Sequence, residues 1–518
     1  MSTKLTESPR VTVEAAAEHL RAANNLVSLS SATGTTFGDI AYDSRKVTTN
    51  SVFVCLPGEK TDGNRFINDA LALGASTIVS ENAVENSAVK SFIQVKDARR
   101  ALAELADFLY DSPSHKVRLI GVTGTNGKTT TTHLVEHIFA EAGKKRGLIG
   151  TLGARTNADN QRSYIDMKHT TPQASDLQRL FFDMHNNGVG YIAMEVSSHA
   201  LALKRVAACQ FSSICVTNLT QDHLDFHKDM DNYFAAKRLL FDMLNEGTQE
   251  GRTAIVNRDD GWAQRFVDAV RPGVKLLTYG WNQESDLFVK SADFDFSGTD
   301  LVLDGLFGVK KLKLKLNGKF NVYNVMAAIL LCTSEGISID ACIEALENFA
   351  GVSGRFESVI TPDLPPAAKQ PLCLVDYAHT PDGLENVLKS ARALVPPAGK
   401  LVTVFGCGGD RDATKRPQMG KIAELLADVV IVTSDNPRSE DPALIIENIL
   451  GGIENQTKVR VEADRTKAIN LAVSSADDQD VVVVAGTGPE TYQILRDKTI
   501  DFDDRLVVKK ALSDRLSR

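Results

Sequence analysis

Short apolar runs alternate with amphipathic, helix-length stretches along nearly the whole chain. In the first 115 residues, apolar runs at 51–56, 76–79 and 92–95 lie between helical patterns, which predicts a small α/β unit. A second block, 116–354, has strand-like runs at 117–122, 191–195, 213–218, 253–257 and 275–280, with helices between them, including 129–142 and 231–244. Buried strands alternating with helices predict a doubly wound, mostly parallel sheet. Between 286 and 316 the period drops to two, most plainly in Lys311-Leu-Lys-Leu-Lys-Leu316, so a small antiparallel section with one solvated basic face is expected. The third block, 355–518, opens with a proline-rich surface loop at 361–371. It continues with strands at 372–376, 401–406, 429–433 and 481–486, again alternating with helices. The expected fold class is therefore α/β in three domains: 1–115, 116–354 and 355–518.

Composition narrows the function classes. The 518 residues are 43% hydrophobic and 24% charged, as in globular proteins, and that length suits about three domains. A net charge of −8 argues against coating a nucleic acid or a membrane surface. The polar start, MSTKLTESPR, lacks a signal-peptide core, and the longest apolar run, 325–332, is too short to span a bilayer. Seven cysteines (55, 209, 215, 332, 342, 373 and 407) form an odd set without close pairs, which suits reduced core residues in a cytoplasmic protein. No repeat, low-complexity tract or heptad pattern interrupts the chain.

The stretch Gly121-Val-Thr-Gly-Thr-Asn-Gly-Lys-Thr-Thr130 carries the clearest chemistry. It stands between a predicted strand and a predicted helix, the order needed for a phosphate-cradling, P-loop-type turn. Backbone N–H groups of Gly124, Thr125, Asn126 and Gly127 and the helix N-terminus would face an anion, with Lys128 adding a positive charge. Thr129 would offer a hydroxyl to a magnesium ion, and Thr130 lies beside it. Val122 occupies the position where the strict pattern has glycine.

Further polar groups collect at predicted strand ends, where ligands of open α/β sheets bind. Glu195, in Met194-Glu-Val-Ser-Ser-His199, suits a hard cation, and Asn218-Leu-Thr-Gln-Asp-His-Leu-Asp225 brings His223 to the same edge. Lys237 lies in a predicted helix, where an exposed lysine is the ordinary expectation. In the last block, Asp376-Tyr-Ala-His379, Gly406-Cys-Gly-Gly-Asp-Arg411, Asp435-Asn-Pro-Arg438 and Gly486-Thr-Gly-Pro-Glu490 each follow a strand, which predicts one shared cleft.

With these motifs in this order, joined by Gly318-Lys-Phe-Asn-Val-Tyr-Asn324 and Gly354-Arg-Phe-Glu357, the chain resembles the Mur ligases over nearly its full length. These are ATP-dependent amide-forming enzymes of peptidoglycan precursor synthesis, and hence of cell-wall growth, cell shape and division. Asp43-Ser-Arg45 and Asp435-Asn-Pro-Arg438 resemble the member that adds the third residue of the peptide stem. The resemblance implies an N-terminal domain for the UDP end of the substrate, a central ATP-binding domain and a C-terminal Rossmann-like domain for the amino acid.

Roles implied by the resemblance follow residue by residue. Lys128, Glu195, His223 and Lys237 would be catalytic. ATP would be held by Gly124 to Thr130, Asn324 and Arg355, and magnesium by Thr129, Glu195, His223 and Lys237, the last as a carbamate. Tyr42, Ser44, Glu59, Lys60, Thr61, His169, Thr170, Thr171, Ser197 and Arg205 match contacts to UDP-N-acetylmuramoyl-L-alanyl-D-glutamate. Arg411, Asp435, Asn436, Pro437, Arg438, Gly486 and Glu490 match contacts to meso-diaminopimelate, and a monomer is expected. His169 and Leu203 stand where the family commonly has asparagine and glutamine. Gly486-Thr-Gly-Pro-Glu490 lacks the family's lysine and histidine there.

The implied reaction phosphorylates the D-glutamyl side-chain carboxylate and lets an amine open the resulting acyl phosphate. Arg438 would pair with the distal carboxylate of diaminopimelate, which L-lysine, the alternative amine, lacks. The competing reading of Arg438 is a local ion pair with Glu440 or Asp441. Rival functions are another ATP-dependent amide ligase such as a folylpolyglutamate synthetase, and a P-loop switch protein without an amino-acid cleft.

Overall fold

The computed structural model describes residues 9–58, 61–84, 86, 88–157, 163–165, 167, 169–295, 298–359 and 370–516. Three sheets dominate, each flanked by helices. The N-terminal sheet runs in the order Leu26–Ser31, Ser91–Val95, Thr77–Ser80, Ser51–Val54, Asp39–Ala41. Its pairs are parallel except the first. Helices Val13–Ala22 and Ala98–Leu109 pack into its core.

The central sheet has eleven strands. Arg146–Gly150, Tyr191–Glu195, Arg118–Thr123, Ser213–Val216, Thr253–Asn257, Lys275–Gly280 and Leu287–Asp295 form a parallel run. Leu287–Asp295, Gly298–Gly305 and Lys310–Leu314 then pair antiparallel, as the period-two pattern predicts. The opposite edge carries a second antiparallel section, Gly153–Asn157 and Ser163–Ile165, absent from the sequence expectation. The apolar run 325–332 lies in helix Lys319–Ser334, which is buried almost continuously from Asn321 to Cys332. A helix apolar on all sides belongs in a core, and this one packs beside helix Lys128–Glu141. Among the described residues no helix is long and apolar enough to cross a membrane.

The C-terminal sheet runs Glu357–Ser358, Leu372–Asp376, Val481–Ala485, Leu401–Phe405, Val429–Val432, Val459–Val461. It is parallel apart from the first pair. The proline-rich 361–371 segment lies outside the described residues except for its last two. All seven cysteines are free and buried. The fold is thus α/β and mostly parallel, and the ends of its central and C-terminal strands converge on a cavity of about 640 Å³.

Candidate functional site

The phosphate loop explains its own departure from the strict pattern. Val122 is fully buried within strand Arg118–Thr123, which pairs with parallel neighbours on both sides, so the turn begins only at Gly124. There φ is +142°, and a Cβ would lie 1.9 Å from Thr217 Oγ1, so only glycine fits. At Gly127, φ is +87° and a Cβ would meet Asn324 Oδ1 at 2.5 Å. Helix Lys128–Glu141 follows without a side-chain cap, leaving its first N–H groups directed at the cavity.

Two amines converge on this loop. Lys128 Nζ donates to the carbonyls of Gly124 (2.9 Å) and Thr125 (2.8 Å), while Lys237 Nζ donates to the Gly124 carbonyl at 2.8 Å. Lys237 is only 1% exposed, with its ammonium 4.6 Å from the Tyr233 ring centroid. Burial, reinforced by the neighbouring Lys128 charge, holds the Lys237 amine well below the usual lysine range. It is therefore a buried amine at the site, biased toward its neutral form, where the sequence pattern alone suggested an exposed helix lysine.

Glu195 is also buried. It accepts hydrogen bonds from Thr129 Oγ1 (3.1 Å), Thr151 N (2.9 Å) and Thr151 Oγ1 (3.0 Å). A Cβ at Gly150 would lie 2.3 Å from Glu195 Oε1, so that glycine makes room for the carboxylate. His223 has φ +55° and lies 3.3 Å from Asp222. Burial pushes its imidazole down to about 3 against the pull of Asp222, leaving a neutral ring. Among the described residues, no three His, Cys, Asp or Glu side chains converge as a self-sufficient metal cage. Glu195 and the Thr129 hydroxyl are oxygen donors of the kind that would hold a magnesium ion.

The nucleotide side is closed by the C-terminal block. Arg355 donates to Thr129 Oγ1 at 3.0 Å, and its guanidinium stands 4.5 Å from the Tyr377 ring centroid. Asn324 accepts from Thr131 and binds Asn321. Asp382 accepts from Asn126 Nδ2 (2.8 Å) and Thr220 Oγ1 (3.2 Å), so one carboxylate ties the C-terminal block to the phosphate loop. Burial raises the Asp376 carboxyl to about 6, partly offset by Arg355, and lowers His379 to about 4. Thr151, Asp222, Tyr377 and Asp382 were not singled out as site residues from the sequence. Two of them lie inside quoted motifs; the signal for Asp382, two residues after the cap Thr380, is faint.

The UDP-substrate candidates form a second group at the junction with the N-terminal sheet. Tyr42 donates to Asp176 at 2.8 Å, and its phenol is raised by burial and by that carboxylate. Arg205 donates to the Thr171 carbonyl at 3.0 Å. Thr171 Oγ1 donates to the Glu195 carbonyl and accepts from Ser197 N, while Thr170 and Thr151 share a hydroxyl contact. A continuous line thus runs from Arg205 to the Glu195 loop. Ser44 is buried, Thr61 and His169 are exposed, and of the described candidates in this group only Thr170 and Ser197 line the cavity. Glu59 and Lys60 lie outside the described residues.

The four C-terminal clusters touch one another at the strand ends, and of them only Asp376 to His379 line the cavity of about 640 Å³. Asn436 Nδ2 donates to Glu490 at 2.8 Å, and Tyr377 Oη donates to the same carboxylate at 3.3 Å. Gly486, with φ +127°, leaves room for Asp435, whose Oδ2 would be 2.3 Å from a Cβ there. Arg438 Nη1 donates to the Gly409 carbonyl (2.8 Å) and more distantly to that of Asn436 (3.4 Å). Glu440 is held instead by Arg416 through two 2.8 Å bonds, and Asp441 caps Ala443 N. Neither Glu440 nor Asp441 pairs with Arg438. Arg411 is exposed, with a weak 3.4 Å contact to the Asp410 carbonyl, and approaches the same Gly408 as Arg438. Pro437 is buried between Asn436 and Arg438.

Comparison with known proteins agrees with this geometry. The Mur ligase family catalytic domain matches residues 37–110, the Mur ligase middle domain 122–332, and the Mur ligase glutamate ligase domain 354–488. The UDP-N-acetylmuramoyl-L-alanyl-D-glutamate--2,6-diaminopimelate ligase of Clostridium tetani is 42% identical over 484 residues, covering 92% of this chain and 95% of the relative. The same-named ligase of Geobacillus thermodenitrificans is 44% identical over 480 residues, with 92% and 95% coverage. A solved structure of a ligase with that name superposes with a TM-score of 0.65 at 31% identity, covering 93% of this chain and 95% of the other. The MurF ligase of Thermotoga maritima in complex with ADP shares the fold at 17% identity, with a TM-score of 0.61 and coverage of 92% and 98%.

Proposed function

The chain belongs to the Mur ligase family, and from that membership and the site we propose that it joins meso-2,6-diaminopimelate to UDP-N-acetylmuramoyl-L-alanyl-D-glutamate with conversion of ATP to ADP and phosphate. The observation that carries this reading is the line Thr129–Arg355–Tyr377–Glu490, which couples the phosphate loop to the amino-acid cleft. A switch protein has no use for the second end of that line. We propose domain limits at 1–115, 116–354 and 355–518.

In this reading, Gly124 to Thr130, Asn324 and Arg355 hold ATP. Tyr42, Ser44, Thr61, Thr170, Thr171, Ser197 and Arg205 hold the UDP-linked dipeptide, as do Glu59, Lys60 and His169 by resemblance. The D-glutamyl carboxylate attacks the γ-phosphorus, the bond to ADP breaks, and an acyl phosphate forms. The amine of diaminopimelate then attacks the acyl carbon, a proton leaves the nitrogen, and phosphate departs. Lys128 stabilises charge on the transferred group, and the buried loop N–H groups do so without reorganising. Magnesium, held by Thr129, Glu195 and His223, would neutralise the phosphates. Lys237 is suited to N-carboxylation because only a neutral amine reacts with carbon dioxide; as a carbamate it would add an anionic oxygen ligand.

The distal head of diaminopimelate carries both a carboxylate and an ammonium group. Arg438 and Glu490 supply the opposite charges side by side, with Arg411, Asp435, Asn436, Pro437 and Gly486 shaping the pocket. L-Lysine presents only the ammonium and leaves Arg438 unmatched, which favours diaminopimelate. We further propose that the protein acts as a cytoplasmic monomer. Measuring ADP release with the purified UDP-dipeptide and a panel of amino acids tests the assignment. No release with diaminopimelate would refute it.

A further inference from the structure

Behind the amino-acid pocket lies an ion pair that binding alone does not explain. Arg465 opens helix Arg465–Ser475, and Asp504 opens helix Asp504–Leu516. Their side chains are both 0% exposed and meet through two bonds, Nε to Oδ1 at 2.8 Å and Nη2 to Oδ2 at 2.7 Å. The remaining donors of Arg465 reach the Ala485 carbonyl at 3.0 Å and the Ser434 carbonyl at 3.4 Å. Those carbonyls immediately precede Gly486 and Asp435. One guanidinium therefore ties together the two strand ends that carry the pocket. Thr487, where the family pattern has lysine, donates its hydroxyl to Asp504 Oδ2 and completes the group.

A buried ion pair is a weak source of stability, because desolvation offsets most of its attraction. A positional role fits the geometry better. Arg465 Nη2 would stand 3.6 Å from a Cβ on Gly486, and Asp435 Oδ2 would stand 2.3 Å from the same point. The cation is thus placed directly behind the pocket's acidic pair. The charged and titratable groups facing Glu490 are Asp435, Tyr377 and Arg438, with Arg465 coupled to both acids from the rear.

We propose that Arg465, oriented by Asp504 and Thr487, is the positioning residue of the amino-acid pocket, aligning Asp435 and Gly486 for the distal ammonium group of the substrate. The inference rests on the function proposed above. It adds that Thr487, which stands where the family pattern has lysine, supports Arg465 through Asp504.

The test uses the full-length enzyme and compares Arg465→Met, the paired Arg465→Met/Asp504→Leu variant, and Thr487→Val. Removing both charges should leave a folded protein, since apolar replacement of a buried pair is often tolerated. The expected result is a rise in KM for diaminopimelate of about tenfold, with KM for ATP and for the UDP-dipeptide unchanged. In Arg465→Met the acid limb of kcat/KM for diaminopimelate should move to higher pH by about one unit, because Glu490 loses a cationic neighbour and protonates more easily. A merely structural pair would raise all three KM values together or leave the acid limb in place, and either outcome overturns the proposal. Should neither arginine variant fold, Thr487→Val decides. It should raise KM for diaminopimelate alone, with Thr487→Ser restoring it, and an unchanged KM overturns the proposal. If the wild-type enzyme releases no ADP with diaminopimelate, the assigned reaction is at fault rather than the role of Arg465.

Discussion

Replacing Arg438 by methionine isolates the choice of amino acid. The guanidinium is half-buried, its only carbonyl partners lie at 2.8 and 3.4 Å, and the nearby Glu440 is fully engaged by Arg416. A carboxylate arriving from the substrate would therefore make its principal charge-assisted contact. Such a contact contributes about 2 kcal/mol, the lower part of the range for hydrogen bonds to charged groups, after allowing for solvent around a half-exposed side chain. At about 1.4 kcal/mol per factor of ten, Arg438→Met should raise KM for diaminopimelate about thirtyfold. The contact is made before and during the reaction alike, so kcat should change little. L-Lysine never makes it, so lysine turnover should hardly alter and the preference ratio should shrink by the same factor. Steady-state ADP release with each amino acid, at saturating ATP and UDP-dipeptide, reads all of these quantities. Comparable kcat/KM for lysine and diaminopimelate in the wild type, or an equal rise in KM for ATP in the variant, would refute the reasoning.

Lys128→Ala should abolish turnover while the protein stays folded, as judged by single-turnover phosphate release and circular dichroism. Depleting carbon dioxide should lower activity reversibly, and bicarbonate enriched in carbon-13 should produce a carbamate resonance that Lys237→Ala lacks. Persistence of that resonance in the variant would place the carbamate elsewhere. Asp376 has a folded-state value near 6, above the ordinary 3.8, so the native protein holds the extra proton between those values. Its stabilising contribution is complete below about pH 4 and lost as pH rises through 6, a change on the order of 3 kcal/mol. Asp376→Asn should therefore gain melting temperature relative to wild type between pH 4 and 7, and a constant difference would contradict the burial argument.

Much of this architecture was legible because its strands are buried on both faces. Strands Tyr191–Glu195, Thr253–Asn257, Lys275–Gly280 and Leu372–Asp376 fall where continuous apolar runs place them. Other strands were not legible. Val459–Val461, at an edge, is half to fully exposed, and the Arg146–Gly150 and Gly153–Asn157 pair is rich in glycine and polar residues, so neither carries a strong apolar signal. The same division holds for the site. Motif residues flanking a strand end announced themselves, including the phosphate loop and the Asp435-to-Arg438 turn. The Asp382 contact with Asn126 spans 256 positions and depends on how two sheets face each other, which local pattern does not encode. Lys237 shows a related limit: spacing put it on a helix, but only packing revealed that its amine is dry.

The grip of Asp382 on Asn126 has a mechanical consequence. The turn that would cradle a triphosphate also serves as the handle by which a neighbouring lobe is held. An adjustment of that turn as cargo enters or departs would pull on the C-terminal lobe through this carboxylate. Unloading spent nucleotide and parting the two halves of the enzyme are, on this account, one movement seen from two ends.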